Sequence, residues 1–279
     1  MLREFRLTVV GSMIAMAFAG CGGGGGSGAS FDLVKDIYDN TMTGGYQSVR
    51  NIVKDDTSTT LGTSCGFLTN DASNQQAADS KIFSLGGKVN SATAKEYCAT
   101  VGSETGCFEK VDKAYIEDGR SPGVTTIKMI LTGLVPNHET WISYSSTDNF
   151  AEIESATKNA SITQGQNCAQ PTTTQTADAI NGAWTGYKLS YALTSKTGTS
   201  TTASLNCANQ VCTITDGAST VAALPSFSNS GAWKTAVGAS KFVGASISSD
   251  KSLLSMFVCN APLDESRTFE SCGFYSFKR

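Results

Sequence analysis

Charge is scarce in this chain. Only 16% of its 279 residues are Asp, Glu, Lys or Arg, and 21 basic against 24 acidic residues leave a formal net charge of −3. A weakly acidic chain with no Lys/Arg stripe has little with which to neutralise a row of phosphates, which excludes nucleic acid as the expected partner. Histidine is scarcer still. His138 is the only one, so a site built on several imidazoles is excluded, and any histidine-dependent catalysis has to run through that residue. The apolar stretch Leu7 to Gly20 is also too short to cross a bilayer as a helix, which takes about 20 residues. With so little charge, surface polarity falls to Ser, Thr, Asn and Gln, a composition common among exported β-rich proteins.

What the chain does have is cysteine, nine in all, and glycine. The segment Met1 to Arg6 carries net positive charge and precedes the uncharged stretch Leu7 to Gly20, which is the layout of an export signal at residues 1–20. Two cleavage sites compete there. Ala17-Phe18-Ala19 fits an ordinary small-x-small site, whereas Phe18-Ala19-Gly20-Cys21 resembles the lipobox of bacterial lipoproteins, with Phe18 in place of the usual leucine. That resemblance implies a Cys21 acylated on sulfur, a membrane partner reached through the lipid, and residence in the bacterial cell envelope. The absence of Asp after Cys21 implies the outer membrane. Parity agrees, because removing Cys21 leaves eight body cysteines that can pair completely: Cys65, Cys98, Cys107, Cys168, Cys207, Cys212, Cys259 and Cys272. The glycines at 22–26, followed by Ser27-Gly28-Ala29-Ser30, then read as a flexible tether over residues 21–30.

About 259 residues remain after cleavage, and with 40% hydrophobic and 9% aromatic residues they can bury a core. The uncharged, Thr-rich segment after Pro171 divides the eight body cysteines four and four, so residues 171–180 are expected to link two disulfide domains. Residues 31–170 read as α+β. Helices are expected at Phe31 to Tyr38 and at Ser91 to Cys98, and strands at Val124 to Leu131 and Thr140 to Tyr144 around the turn Pro136-Asn137-His138-Glu139. Residues 181–279 read as a small antiparallel β-barrel or sandwich. Its expected strands are Tyr187 to Leu193, Thr202 to Cys207, Val211 to Thr215, Lys241 to Ile247, Leu253 to Cys259 and Cys272 to Phe277. The class overall is mainly β and disulfide-stapled. Cys207 with Cys212, and Cys259 with Cys272, flank connections between strands and are the expected bridges, although four cysteines allow three pairings.

Motifs for chemistry occur but lack their context. Cys207-x4-Cys212 has zinc-like spacing with no second close Cys or His pair, so no metal is expected, nor any cofactor. Gly62-Thr63-Ser64-Cys65-Gly66 matches the nucleophile elbow, and Ser64, Asp118 and His138 follow one another in the order of an α/β-hydrolase triad, yet no alternation of strand and helix surrounds them. Ser155-Ala156-Thr157-Lys158 and Lys196-Thr197-Gly198 match penicillin-binding-protein motifs without the domain that belongs between them. No catalytic residue is therefore assigned. Gly182-Ala183-Trp184 resembles the G-x-W that opens lipocalins and related small barrels, and Gly231-Ala232-Trp233 repeats it. The lipocalin resemblance implies a Trp closing one end of a barrel against a basic residue near the C-terminus, for which Arg267 and Arg279 qualify.

Three functions follow as expectations. The leading one is an envelope-anchored lipoprotein with a non-catalytic binding or structural role, its partner another envelope or extracellular protein or a glycan. The second is a lipocalin-like small-ligand or inhibitor barrel, distinguished by an apolar cavity next to Trp184. The third is a serine hydrolase using Ser64 and His138, which requires the two side chains to lie within hydrogen-bond reach.

Overall fold

The computed structural model describes residues 36, 39–54, 58–68, 88–92, 96–101, 104–121, 124–145, 150–166, 177–192, 195, 197–217, 219–224, 235–236, 242–259 and 272–279. The export signal, Cys21, the tether, Cys168, residues 171–176, Trp233 and Arg267 lie outside them. Strands dominate what is described. The first nine are β1 Gly44–Lys54, β2 Ser58–Leu68, β3 Lys88–Ala92, β4 Glu96–Val101, β5 Glu104–Val111, β6 Ala114–Ser121, β7 Val124–Leu131, β8 His138–Ser145 and β9 Phe150–Lys158. After a 3-10 turn at Ala177–Ile180 come β10 Gly182–Ala192, β11 Thr197–Ala208, β12 Val211–Asp216, β13 Ser219–Leu224, β14 Thr235–Ala236, β15 Phe242–Ile247, β16 Leu253–Cys259 and β17 Cys272–Lys278.

These strands form two antiparallel sheets, one of nine strands in the order β2-β1-β9-β8-β7-β6-β5-β4-β3 and one of eight in the order β13-β12-β11-β10-β17-β16-β15-β14. Each is an up-and-down meander whose last strand returns beside its first, β9 beside β1 and β17 beside β10. The mainly β class is thus as expected, and the α+β assignment of residues 31–170 is not. The segment expected to be a helix at Ser91 to Cys98 is the meeting of two strands, with Ser91 opposite Cys98 and Ala92 opposite Tyr97. A helix of eight residues is not stable by itself in water, whereas cross-strand pairing recruits Tyr97 into a ladder on both sides. Of the expected helix at 31–38 only Asp36 is described; it is helical, as are Asp39 and Asn40.

Period-two alternation sends the side chains of each strand to two faces. On the first sheet Val111, Ile116, Ile127, Met129, Leu131, Ile142 and Ile153 face the second, and they share one buried cluster with Tyr187, Leu189, Phe257 and Phe274 of the second sheet. A further cluster belongs to the second sheet alone: Trp184, Leu205, Ile214, Ile247, Met256 and Phe277 are buried together on its other face. Beside the apolar contact runs a layer of buried hydroxyls. Thr140 Oγ1 lies 2.7 Å from Ser255 Oγ, Ser155 Oγ donates to Ser246 O at 2.8 Å and lies 2.7 Å from Ser255 Oγ, and Ser246 Oγ donates to Val49 O at 2.6 Å. Asn51 Nδ2 donates to Ala245 O at 2.9 Å. The two sheets, which precede and follow 171–180 in sequence, therefore share a core, and residues Phe31–Arg279 form one compact unit.

Candidate functional site

The face of the first sheet turned away from the second is polar. With Val49 and Asn51 committed to the inter-sheet contact, β1 sends Tyr46, Ser48 and Arg50 to the opposite side; β9 likewise sends Glu152 and Glu154, and β8 sends Glu139 and Trp141. Register brings them together. Glu154 stands between Arg50 of β1 and Trp141 of β8, Ser48 Oγ donates to Glu154 Oε2, and the Tyr46 and Trp141 rings meet edge to face with centroids 4.9 Å apart. Glu139 accepts from Trp141 Nε1 at 2.7 Å and from the backbone N–H of Met42. Arg50 Nε is 3.5 Å from Glu152 Oε1. Further along the same face, Glu117 lies 3.8 Å from Lys128, and Asp36 receives Lys110 at 2.6 Å and the Tyr115 hydroxyl at 2.7 Å.

This face is not open surface. Ser48 is fully buried and Glu139 is 3% exposed. Burial, together with the hydrogen bond and charge of Glu154, lifts the Glu152 carboxyl to about 9, so it is protonated at neutral pH. Burial and the same Glu154 charge push the Tyr46 phenol up to about 12. The arrangement offers a protonated carboxyl as donor, carboxylates as acceptors, a guanidinium and two aromatic edges, a set suited to recognising polar groups. Sequence reasoning missed it because only strand register joins these residues. The available signal was the period-two pattern Tyr46-x-Ser48-x-Arg50 and Glu152-x-Glu154.

The second sheet presents a closed end. The 3-10 turn delivers Ile180 O to Trp184 Nε1 at 2.8 Å. The Arg279 guanidinium lies 4.3 Å from the Trp184 ring centroid and donates to Ala179 O at 2.8 Å, Asn181 O at 3.1 Å and Lys251 O at 2.9 Å. Of the two basic residues expected against this Trp, the structure uses Arg279. Beside Trp184 the space is filled by Leu205, Ile214, Met256 and Phe277, each nearly or fully buried. Two rungs beyond, Lys188 pairs with Asp216, which also accepts from Thr201 Oγ1 at 2.9 Å. An open hollow of about 550 Å³ lies at the β10–β11 hairpin, lined by Ser190, Tyr191, Thr197 and Thr199 among others.

The expected hydrolase residues are not brought together. Ser64 is on β2 opposite Ser48, Ser48 is opposite Ala156 of β9, and Ala156 is opposite Glu139 of β8, next to His138. Three strand spacings, about 14 Å along the sheet, separate Ser64 from His138 at the backbone, and Asp118 on β6 is two strands beyond. His138 is engaged elsewhere, with Nδ1 2.8 Å from Pro136 O and Nε2 2.7 Å from Asp250 Oδ2 and 3.0 Å from Ser252 Oγ. Burial raises the Asp250 carboxyl, but hydrogen bonds from Ser248, from the N–H and hydroxyl of Ser252 and from His138 outweigh it and hold the group at about 2. Ser155 and Lys158 stand three apart on β9 and so on opposite faces, and Thr197 and Gly198 open β11, with Lys196 outside the described residues. Among the described residues, no three His, Cys, Asp or Glu side chains are placed to hold a metal ion.

Of the cysteines, Cys207 and Cys212 form the expected bridge. Cys65 and Cys272 are also disulfide-bonded. Cys98, Cys107 and Cys259 lie on β4, β5 and β16.

No protein-family model and no curated protein matches the chain. Among solved structures, it is similar to a protein of unknown function of the DUF3598 family from Nostoc punctiforme PCC 73102. The match has 8% identity over 87% of this chain and 97% of that one, with a TM-score of 0.35. A likeness at that level carries no argument for fold or function.

Proposed function

We propose that the protein is a bacterial envelope lipoprotein, held by lipid on Cys21 and a Gly/Ser tether, whose β-rich body acts by binding and not by catalysis. The anchor rests on the signal layout, the lipobox-like Phe18-Ala19-Gly20-Cys21 and cysteine parity. The non-catalytic half rests on one observation: the only histidine is engaged with Asp250 and Pro136, three strands away from Ser64. The partner is recognised by hydrogen bonding more than by apolar contact. Among the described residues only Phe67 and Val211 are large apolar side chains that stand exposed. A glycan or a polar protein surface fits that character.

The test joins two measurements. Intact mass of the membrane fraction should show an acylated N-terminal Cys21, and Cys21→Ser should move the protein to the soluble fraction. A mature chain that begins at Gly20 and carries a free thiol sinks the anchor. For the body, Ser64 should resist a serine-directed phosphonate; labelling abolished by His138→Ala overturns the binding reading in favour of hydrolysis.

The closed end at Trp184 and Arg279 favours a second reading, a lipocalin-like barrel in the second sheet. The filled space beside Trp184 suits an inhibitor-like barrel better than a cup for an apolar ligand. Titrating apolar ligands should then leave Trp184 fluorescence unchanged.

A further inference from the structure

The body cysteines carry an inference about connectivity. Cys207 and Cys212 are bonded to each other, and they are register partners on β11 and β12. Residues opposed on an antiparallel pair share a face and hold their Cβ atoms about 4.5–5.5 Å apart, close to the roughly 3.5–4.5 Å that a disulfide spans. Two further pairs stand in the same relation: Cys98 is opposite Cys107 on β4 and β5, and Cys259 is opposite Cys272 on β16 and β17. Cys272 is disulfide-bonded, and two residues before Cys259 on β16 Phe257 opposes Phe274, both in the same buried cluster as Cys272. Cys65 is disulfide-bonded as well, but its partners in register on β1 include only Gln47, so its bridge is not of the cross-strand kind.

We propose that the body is closed by four bridges, Cys98–Cys107, Cys207–Cys212, Cys259–Cys272 and, by elimination, Cys65–Cys168, which leaves Cys21 as the one unpaired thiol. The last bridge fastens β2, an edge of the first sheet, to the stretch of chain that leads from the first sheet to the second. In each bridge two thiols lose their hydrogens and join. The two electrons reduce a protein disulfide of the export compartment to a dithiol, and the two protons go with them. The inference rests on the export reading for its oxidant, but the pairing and the lipid are read out separately.

The experiment is peptide mapping without reduction on the full chain from the membrane fraction, alkylated with iodoacetamide before denaturation. Trypsin together with a glutamate-specific protease, which cuts at Glu104, separates Cys98 from Cys107, Cys259 from Cys272 and Cys65 from Cys168. Linked peptides are expected for those three pairs and, because no Lys, Arg or Glu stands between Cys207 and Cys212, an internal loop lighter by two hydrogens for the fourth, with Cys21 in none. A bridge from Cys65 to any cysteine other than Cys168, or Cys21 found in a bridge, overturns the connectivity. Four intact bridges with an alkylated, unacylated Cys21 leave the connectivity standing and sink the lipid anchor instead. Cys98→Ser supplies an independent check. It should add a single alkylated thiol, at Cys107, and a new tag on Cys65 or Cys168 in its place counts against the assignment.

Discussion

Arg279 shows how much one side chain does at the closed end of the second sheet. It stacks on Trp184 and donates to three backbone carbonyls, those of Ala179, Asn181 and Lys251, which between them belong to the turn before β10 and the turn before β16. Cation–π contacts and charge-assisted bonds of this kind are worth about 1–2 kcal/mol together where the group is solvent-exposed. Arg279→Ala should lower stability by about that amount in urea titration. Arg279→Lys should recover less than half, because an ammonium cannot stack flat on the ring while bonding two carbonyls in a fork. Glu152 argues a pH dependence. Its carboxyl is lifted to about 9 in the folded protein from an ordinary 4.5, so the fold holds a proton that the unfolded chain releases in that interval. Its contribution is complete below about pH 4.5 and falls as pH rises toward 9. Asp250 runs the other way. Held at about 2, it contributes above pH 3.8 and loses that contribution as pH falls through 2. Thermal midpoints should therefore peak in mild acid, and Glu152→Gln should flatten the decline above the peak. An unchanged decline in that variant would assign the slope to other groups.

Between β10 and β17 the backbones approach so closely that a side chain does not fit. A Cβ on Gly186 would lie 2.0 Å from Ser276 O and 2.9 Å from the Phe277 Cα. Gly186→Ala must push the two strands apart at the pair that closes the second meander, and overpacking of this kind costs about 1–3 kcal/mol. A denaturation midpoint indistinguishable from wild type would show that β10 and β17 are not locked at this rung. The strands that sequence located best are the ones with the simplest faces. β7 at Val124–Leu131 and β16 at Leu253–Cys259 are found with their bounds unchanged, because β-branched and apolar residues run through them. β1 and β9 were not found, since their second face carries Ser48, Arg50, Glu152 and Glu154, residues that read as helix or loop when the partner strands are unknown. The same fact hid the polar face, whose members lie on strands about a hundred residues apart. Trp184 is legible because a local motif marks it, and its contact with Arg279 is not, because that contact depends on where the end of β17 lies in space.

The two sheets are tied by both an apolar cluster and a hydroxyl layer, so neither should survive without the other. Separating them would bare Ile116, Met129, Leu189 and Phe274 together, and would leave Thr140, Ser155, Ser246 and Asn51 with polar groups taken from their partners. Disulfides add to this unevenly. A bridge across a short hairpin such as Cys207–Cys212 constrains the unfolded chain by about 2 kcal/mol, whereas the proposed Cys65–Cys168 bridge, closing a loop of about a hundred residues, would constrain it by about 4.7 kcal/mol. Tryptophans on the two sheets make the coupling measurable: Trp141 reports on the first and Trp184 on the second. With Trp233 replaced by Phe, single-tryptophan variants retaining one or the other should unfold at the same denaturant concentration, and a chain truncated after residue 170 should not give a soluble, cooperatively folding product. Midpoints that differ between the two reporters would mean that the shared core does not bind the sheets into one cooperative unit, because any intermediate with one sheet folded must expose the very cluster that stabilises it.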